Sequence, residues 1–217
     1  MNRIKVLGAL GALGVLAAGV GVVLAQAPAN MSFFVTSKNP GKGGNLGGLE
    51  GADRYCQELA SAVGAGNKTW HAFLSTDKVN AKDRIGNGPW YNVKGQLIAQ
   101  NVGDLLGANN KISAETALNE KGGAPNYLAG DPPAPTAQPL QHDMMTGTNE
   151  DGTSSGQTCN NWTDGGDDAK ATLGHADRKG RSAGVNSWVN VHPSQGCSLE
   201  KLAPTGSAGL FYCFAVN

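Results

Sequence analysis

Across 217 residues, 17 basic side chains balance 17 acidic ones, so the chain has no net charge when its histidines are neutral. That balance excludes the basic field nucleic-acid binding requires, and DNA and RNA are set aside as partners. With 32 glycines and 6% aromatics, the composition predicts short strands joined by irregular loops, not a helical bundle.

The chain opens with a short basic start, Met1 to Lys5, followed by an uncharged run of Ala, Gly, Leu and Val from Val6 to Leu24. Ala25-Gln26-Ala27 then has small residues at the spacing a signal peptidase reads. This predicts a signal peptide over 1–27 and one exported domain over 28–217, with an uncleaved anchor as the competing reading. No other stretch is apolar enough to span a bilayer, so no transmembrane segment is expected after cleavage. The periplasm, the cell surface and the outside of the cell all stay open as locations. Losing Arg3 and Lys5 leaves 15 basic against 17 acidic residues, a net charge of −2.

Met31 to Ser37 is a short β-rich run that ends at Asn39-Pro40-Gly41, and it predicts a first strand. From Gly51 to Val63, Ala52, Tyr55, Cys56, Leu59, Ala60 and Val63 recur at helical spacing, one apolar stripe that Gly64 and Gly66 terminate. Trp70 to Ser75 alternates as a strand, and Asp77 to Arg84 suits a short second helix. Trp90 to Val93 and Gln96 to Ala99, joined through Lys94-Gly95, predict a hairpin. Residues 107–158 hold five of the ten prolines and few large apolar side chains, which predicts a long loop region. Short strands are expected around Trp162, over Trp188–Val191 and over Leu210–Val216. Helices early and strands late indicate an α+β domain built on antiparallel sheets.

Cys56, Cys159, Cys197 and Cys213 form an even set without C-x-x-C spacing, so disulfides are favoured over a thiolate metal site. The residues alone leave all three pairings open. Asn161-Trp162-Thr163 also matches a glycosylation acceptor.

Five segments in this order resemble the bacterial exported branch of the C-type-lectin-like domains, whose fold is related to endostatin. They are Gly48 to Gln57 (GLEGADRYCQ), Thr69 to Ser75 (TWHAFLS), Gly88 to Asn92 (GPWYN), Cys159 to Thr163 (CNNWT) and Gly209 to Phe214 (GLFYCF). The resemblance runs from about Ser32 to Asn217. It implies a C-type-lectin-like fold with antiparallel sheets, two helices, a long ligand-bearing loop region and two disulfides, Cys56–Cys213 and Cys159–Cys197. It also implies a bacterial host, which argues against glycosylation at Asn161.

Sugar-binding members of that family hold Ca²⁺ with a Glu-Pro-Asn or Gln-Pro-Asp tripeptide and a Trp-Asn-Asp tripeptide. Here Ala124-Pro125-Asn126 lacks the first oxygen ligand, and Trp188-Val189-Asn190 replaces another with valine. Calcium stays open as a cofactor, and no cofactor is assigned. Asn149, Glu150 and Asp151, and likewise Asp164, Asp167 and Asp168, could bind a cation or simply form solvated loops.

His142-Asp143 and His175-Ala176-Asp177 each place an imidazole beside a carboxylate, and His192 follows Trp188. Such pairs can ligate zinc or serve acid–base chemistry, or can order loop backbone instead. There is no His-Glu-x-x-His and no Gly-x-Ser-x-Gly, and two disulfides would leave no thiol nucleophile. Trp70 and Trp162 are expected in the core, whereas Trp90 and Trp188 could be buried or stack on a sugar.

The sequence therefore reads as a non-enzymatic, exported C-type-lectin-like binding module for a glycan or a surface protein. Its candidate ligand residues are Pro125, Asn126, His142, Asp143, Asn149, Asp151, His175, Asp177, Trp188 and Asn190. An adhesion or assembly protein without sugar binding is the first alternative, and a zinc-dependent hydrolase the second.

Overall fold

A computed structural model of the chain describes residue 1 and residues 28–127, 139–179 and 186–217. Apart from Met1, the expected leader lies outside the described residues. Among those described, no helix is long and apolar enough to cross a membrane.

The architecture is mixed α and β, with mainly antiparallel sheets, few helices and two disulfides. Strand β1 (Phe33–Val35) and strand β2 (Trp70–Ala72) flank the C-terminal strand β9 (Tyr212–Ala215), and both pair with it antiparallel. This joins the start of the domain to its end. The sheet is buried on both faces, which explains the unbroken apolar runs Phe33-Phe34-Val35 and Leu210-Phe-Tyr-Cys-Phe214. Phe34, Trp70, Ala72 and Cys213 enter one cluster, whereas Phe33, Phe73, Tyr212 and Phe214 enter the other.

The amphipathic helix α1 (Gly48–Ala62) buries Ala52, Cys56, Leu59 and Ala60, most of the predicted stripe, and ends before Gly64 in left-handed backbone. The expected helix at Asp77–Arg84 reduces to a 3-10 turn over Ala81–Asp83. Thr76 ties down its own turn there, its Oγ1 accepting from the Lys78 and Val79 amides, and the Ser75 hydroxyl accepts from Ala81 N. The hairpin forms as β3 (Trp90–Tyr91) and β4 (Leu97–Ala99), followed by a single helical turn, α2 (Val102–Leu106).

The region expected to be loop contains a central strand, β5 (Asp143–Met145). It pairs antiparallel with β6 (Thr172–His175) and parallel with β8 (Ser207–Leu210); β7 (His192–Pro193) completes the order β7-β6-β5-β8. Three residues are too few to show a period, so composition concealed β5. Trp188–Val191 is not a strand; β7 begins just after it.

No strand forms around Trp162. Cys159–Trp162, α3, is instead one turn in which all four residues have positive φ, from 47° to 65°. L-residues seldom adopt this conformation consecutively, at roughly 1–2 kcal/mol each, and asparagine tolerates it best. Tertiary bonds hold the turn: Trp162 Nε1 donates to Ser75 O (2.7 Å), and Asn161 Oδ1 accepts from Asp77 N (2.9 Å). Another tether is the Cys159–Cys197 disulfide, 38 residues apart in sequence, while Cys56–Cys213 spans 157. Closing loops of those lengths in the unfolded chain stabilises by roughly 4 and 5 kcal/mol respectively on a chain-entropy basis. A helix α4 (Leu199–Leu202) follows the second cysteine of the shorter loop.

All four tryptophans are essentially buried, including Trp90 and Trp188, so none offers an open face to a sugar. Trp188 packs on Phe73 and Tyr212 and donates from Nε1 to Leu105 O at 3.2 Å. Burial pushes the Tyr212 phenol well above its usual range, so its hydroxyl stays a donor, here to Trp188 O.

Candidate metal centre

The four-stranded sheet collects the site because its strands are in register. Asp143 in β5 lies directly opposite His175 in β6. Strand side chains alternate faces, so Asp143 shares a face with Met145, and His175 shares that face with Leu173. His192 pairs with Leu173 on the next strand and extends the row. His142 precedes β5, and its ring stacks on that of His175 with centroids 4.3 Å apart.

Asp143 is wholly buried. His142 Nε2 lies 3.2 Å and His175 Nε2 3.1 Å from its Oδ1, and His192 Nε2 lies 3.6 Å from its Oδ2. The His175 and His192 Nε2 atoms are 3.3 Å apart. Despite these distances, neither carboxylate oxygen accepts a hydrogen bond from any described residue. A buried carboxylate without donors is costly, by several kcal/mol, unless a cation compensates it.

The outer hydrogen bonds orient the rings. His142 Nδ1 lies 3.2 Å from Asp177 Oδ1, and His192 Nδ1 lies 3.2 Å from Pro193 O. Carboxylate and carbonyl oxygens only accept, so each Nδ1 carries the proton and, in the neutral ring, Nε2 presents a lone pair. Two lone pairs facing a carboxylate repel one another unless a cation sits between them. The carboxylate–histidine pair formed by Asp177 and His142 is the usual outer support of a metal-bound imidazole. His175 Nδ1 has no described partner.

The spacing of His142, Asp143 and His175 suits three donors on one small ion. Zinc–nitrogen and zinc–oxygen bonds of about 2.0–2.1 Å place adjacent donors roughly 3.3 Å apart. His142 and His175 lie 3.2 and 3.1 Å from Asp143 Oδ1, whereas His192 lies 3.6 Å from Oδ2 and 3.3 Å from His175 Nε2. His142, Asp143 and His175 are each buried, with donor atoms mutually within 4.8 Å. His192 is the entrance, its side chain 34% exposed.

Local packing leaves little freedom at the site. Gly206 has φ +104°, and a Cβ there would lie 2.9 Å from His142 Cδ2 and 3.0 Å from His142 Nε2. Gly206 O also accepts from Asp143 N, and Ser207 Oγ donates to Asp143 O. His71 stands apart from the cluster, its Nδ1 2.6 Å from Arg84 O.

Of the residues expected from sequence, His142, Asp143, His175 and Asp177 come together here. Pro125 is buried, and Asn126 bonds Gln141 and Pro139. Asn149 and Asp151 organise their own turn through Thr153 and Ser154, and Asn190 N meets Ser187 Oγ. Trp188 belongs to the core. His192, weighed in the sequence beside the two His–Asp pairs, was not among the expected ligand residues.

A family model described as "Protein of unknown function (DUF1554)" matches residues 39–179, more than half of the chain. The chain belongs to the DUF1554 family. The DUF1554 match covers His142, Asp143, His175 and Asp177 but stops short of His192. No curated protein matches the chain.

Proposed function

We propose that this DUF1554 protein is an exported, C-type-lectin-like binding module organised around a zinc-class metal ion. The observation that carries the metal reading is the Asp143 carboxylate, buried without a hydrogen-bond donor among three imidazole Nε2 atoms. Three imidazoles and one carboxylate suit zinc or a neighbouring transition metal, whereas calcium takes six to eight oxygens. Calcium is therefore not the ion of this cluster.

His142, Asp143 and His175 supply three donors mutually within 4.8 Å, and His192 stands at the exposed side of the cluster. Disulfides linking α1 to β9 and Cys159 to Cys197 support the C-type-lectin-like reading, as does the pairing of the first and last strands. The leader-like start and the two disulfides support export. A glycan or a surface protein is the ligand class this reading offers.

The test is equilibrium dialysis of the purified protein against zinc, with metal counted by elemental analysis. One zinc per chain is expected, falling to none when His142 and His175 are both alanine. Equal zinc uptake by that double variant would refute the assignment.

A further inference from the structure

Resting on the metal reading, we propose that a pocket beside the centre binds a small hydroxylated carboxylate through Arg178. The pocket, about 200 Å³, lies between the end of α2 on one side and Arg178 and residues 186–189 on the other. That volume is below the drug-sized range and suits a ligand of about one sugar ring. Arg178, Asn110, Asn186, Ser187 and Glu150 contribute its polar groups, and Leu106 adds apolar wall.

Arg178 is the anchor. It is partly buried and held at φ +54°, a conformation non-glycine residues seldom adopt. Strain of this kind persists where the surroundings impose it, often at ligand sites. Among the described residues its guanidinium makes one hydrogen bond, Nη1 to Asn110 Oδ1 (3.1 Å), and no ion pair. A guanidinium with most of its fork unused among the described residues suits a carboxylate, which it can grip bidentately. Asn186, Ser187 and Glu150 offer hydrogen-bond partners for hydroxyls, and the Glu150 charge disfavours a second anionic group.

The metal ligands hold this pocket in place. His175 and His192 bracket the segment that carries Arg178 and Ser187. Arg178 N donates to His175 O (3.0 Å), and His175 N donates to Ser187 O (2.9 Å). The residue before Arg178 is Asp177, which orients His142. Fixing the imidazoles on an ion thus fixes the backbone from which Arg178 projects.

The probe is D-glucuronate, titrated calorimetrically into the zinc-loaded protein, with acetate and glucose as the charged and hydroxylated halves. Glucuronate is expected to bind at least tenfold tighter than either half. Arg178→Gln should weaken it at least tenfold while zinc uptake is unchanged; Arg178→Lys should recover only part. EDTA should weaken glucuronate binding in the wild type. No glucuronate binding, or equal binding by Arg178→Gln, would overturn the pocket assignment. Absence of zinc uptake, measured separately, would overturn the metal reading alone; glucuronate binding unchanged by EDTA would overturn the link between the two. A glycan ending in glucuronate, compared with the free acid, distinguishes a glycan terminus from a soluble hydroxy acid.

Discussion

His175 and Asp143 face each other as a register pair across β6 and β5, with Nε2 and Oδ1 3.1 Å apart and no hydrogen bond between them. In a metal-free site this contact is a liability, and around an ion it is one edge of a coordination shell. Opposite predictions follow for the two forms.

Asp143→Asn removes the buried charge but keeps the side chain's shape. The metal-free variant should be more stable than metal-free wild type by about 1–3 kcal/mol, because an unpartnered buried carboxylate is gone. Zinc should stabilise wild type and leave the variant's melting temperature unchanged. Thermal melts with and without zinc check both signs.

Asp177→Asn keeps an acceptor for the Lys179 amide, now met by Asp177 Oδ1 at 3.0 Å, but removes the charge behind His142. Zinc affinity should fall roughly 10- to 100-fold with one site retained, as for outer-shell substitutions at other zinc centres. Competition with a calibrated chelator measures it.

Gly206→Ala places a methyl group against the His142 ring and forces a side chain onto left-handed backbone. It should cost about 1–3 kcal/mol and lower zinc affinity through His142. Gly156→Ala, also at positive φ but with open space around its Cβ position, should carry the backbone cost and leave zinc uptake intact.

At the left-handed turn, Asn160→Val should destabilise by about 2 kcal/mol, because a β-branched residue fits that backbone worst. Asn160→Gly should stay within about 1 kcal/mol of wild type, since relief of φ strain offsets the lost bond to Asp164. Neither should change zinc stoichiometry. Urea titrations give both values.

Much of the frame was legible in the sequence, because helical periodicity and turn glycines are local signals. The Ala52–Val63 stripe marked α1, and Lys94-Gly95 marked the hairpin. The disulfide pairing came from the resemblance, not from spacing. What escaped was non-local. β5 is three residues whose identity as a strand depends on partners some 30 and 60 residues away. The turn at Cys159–Trp162 adopts backbone its residues do not favour alone, imposed by Ser75, Asp77 and Cys197. His142, Asp143, His175 and Asp177 could be selected as polar groups in loop-like sequence. Their convergence with His192 arises from strand register, which no short window of sequence encodes.

The most direct test of the central claim is X-ray absorption at the zinc edge on protein reconstituted with one equivalent of zinc. A four-coordinate shell with imidazole nitrogens and a carboxylate oxygen at about 2.0–2.1 Å, at least two of the ligands imidazoles, is predicted. A six-coordinate, all-oxygen shell, or a protein that retains no zinc, would contradict it.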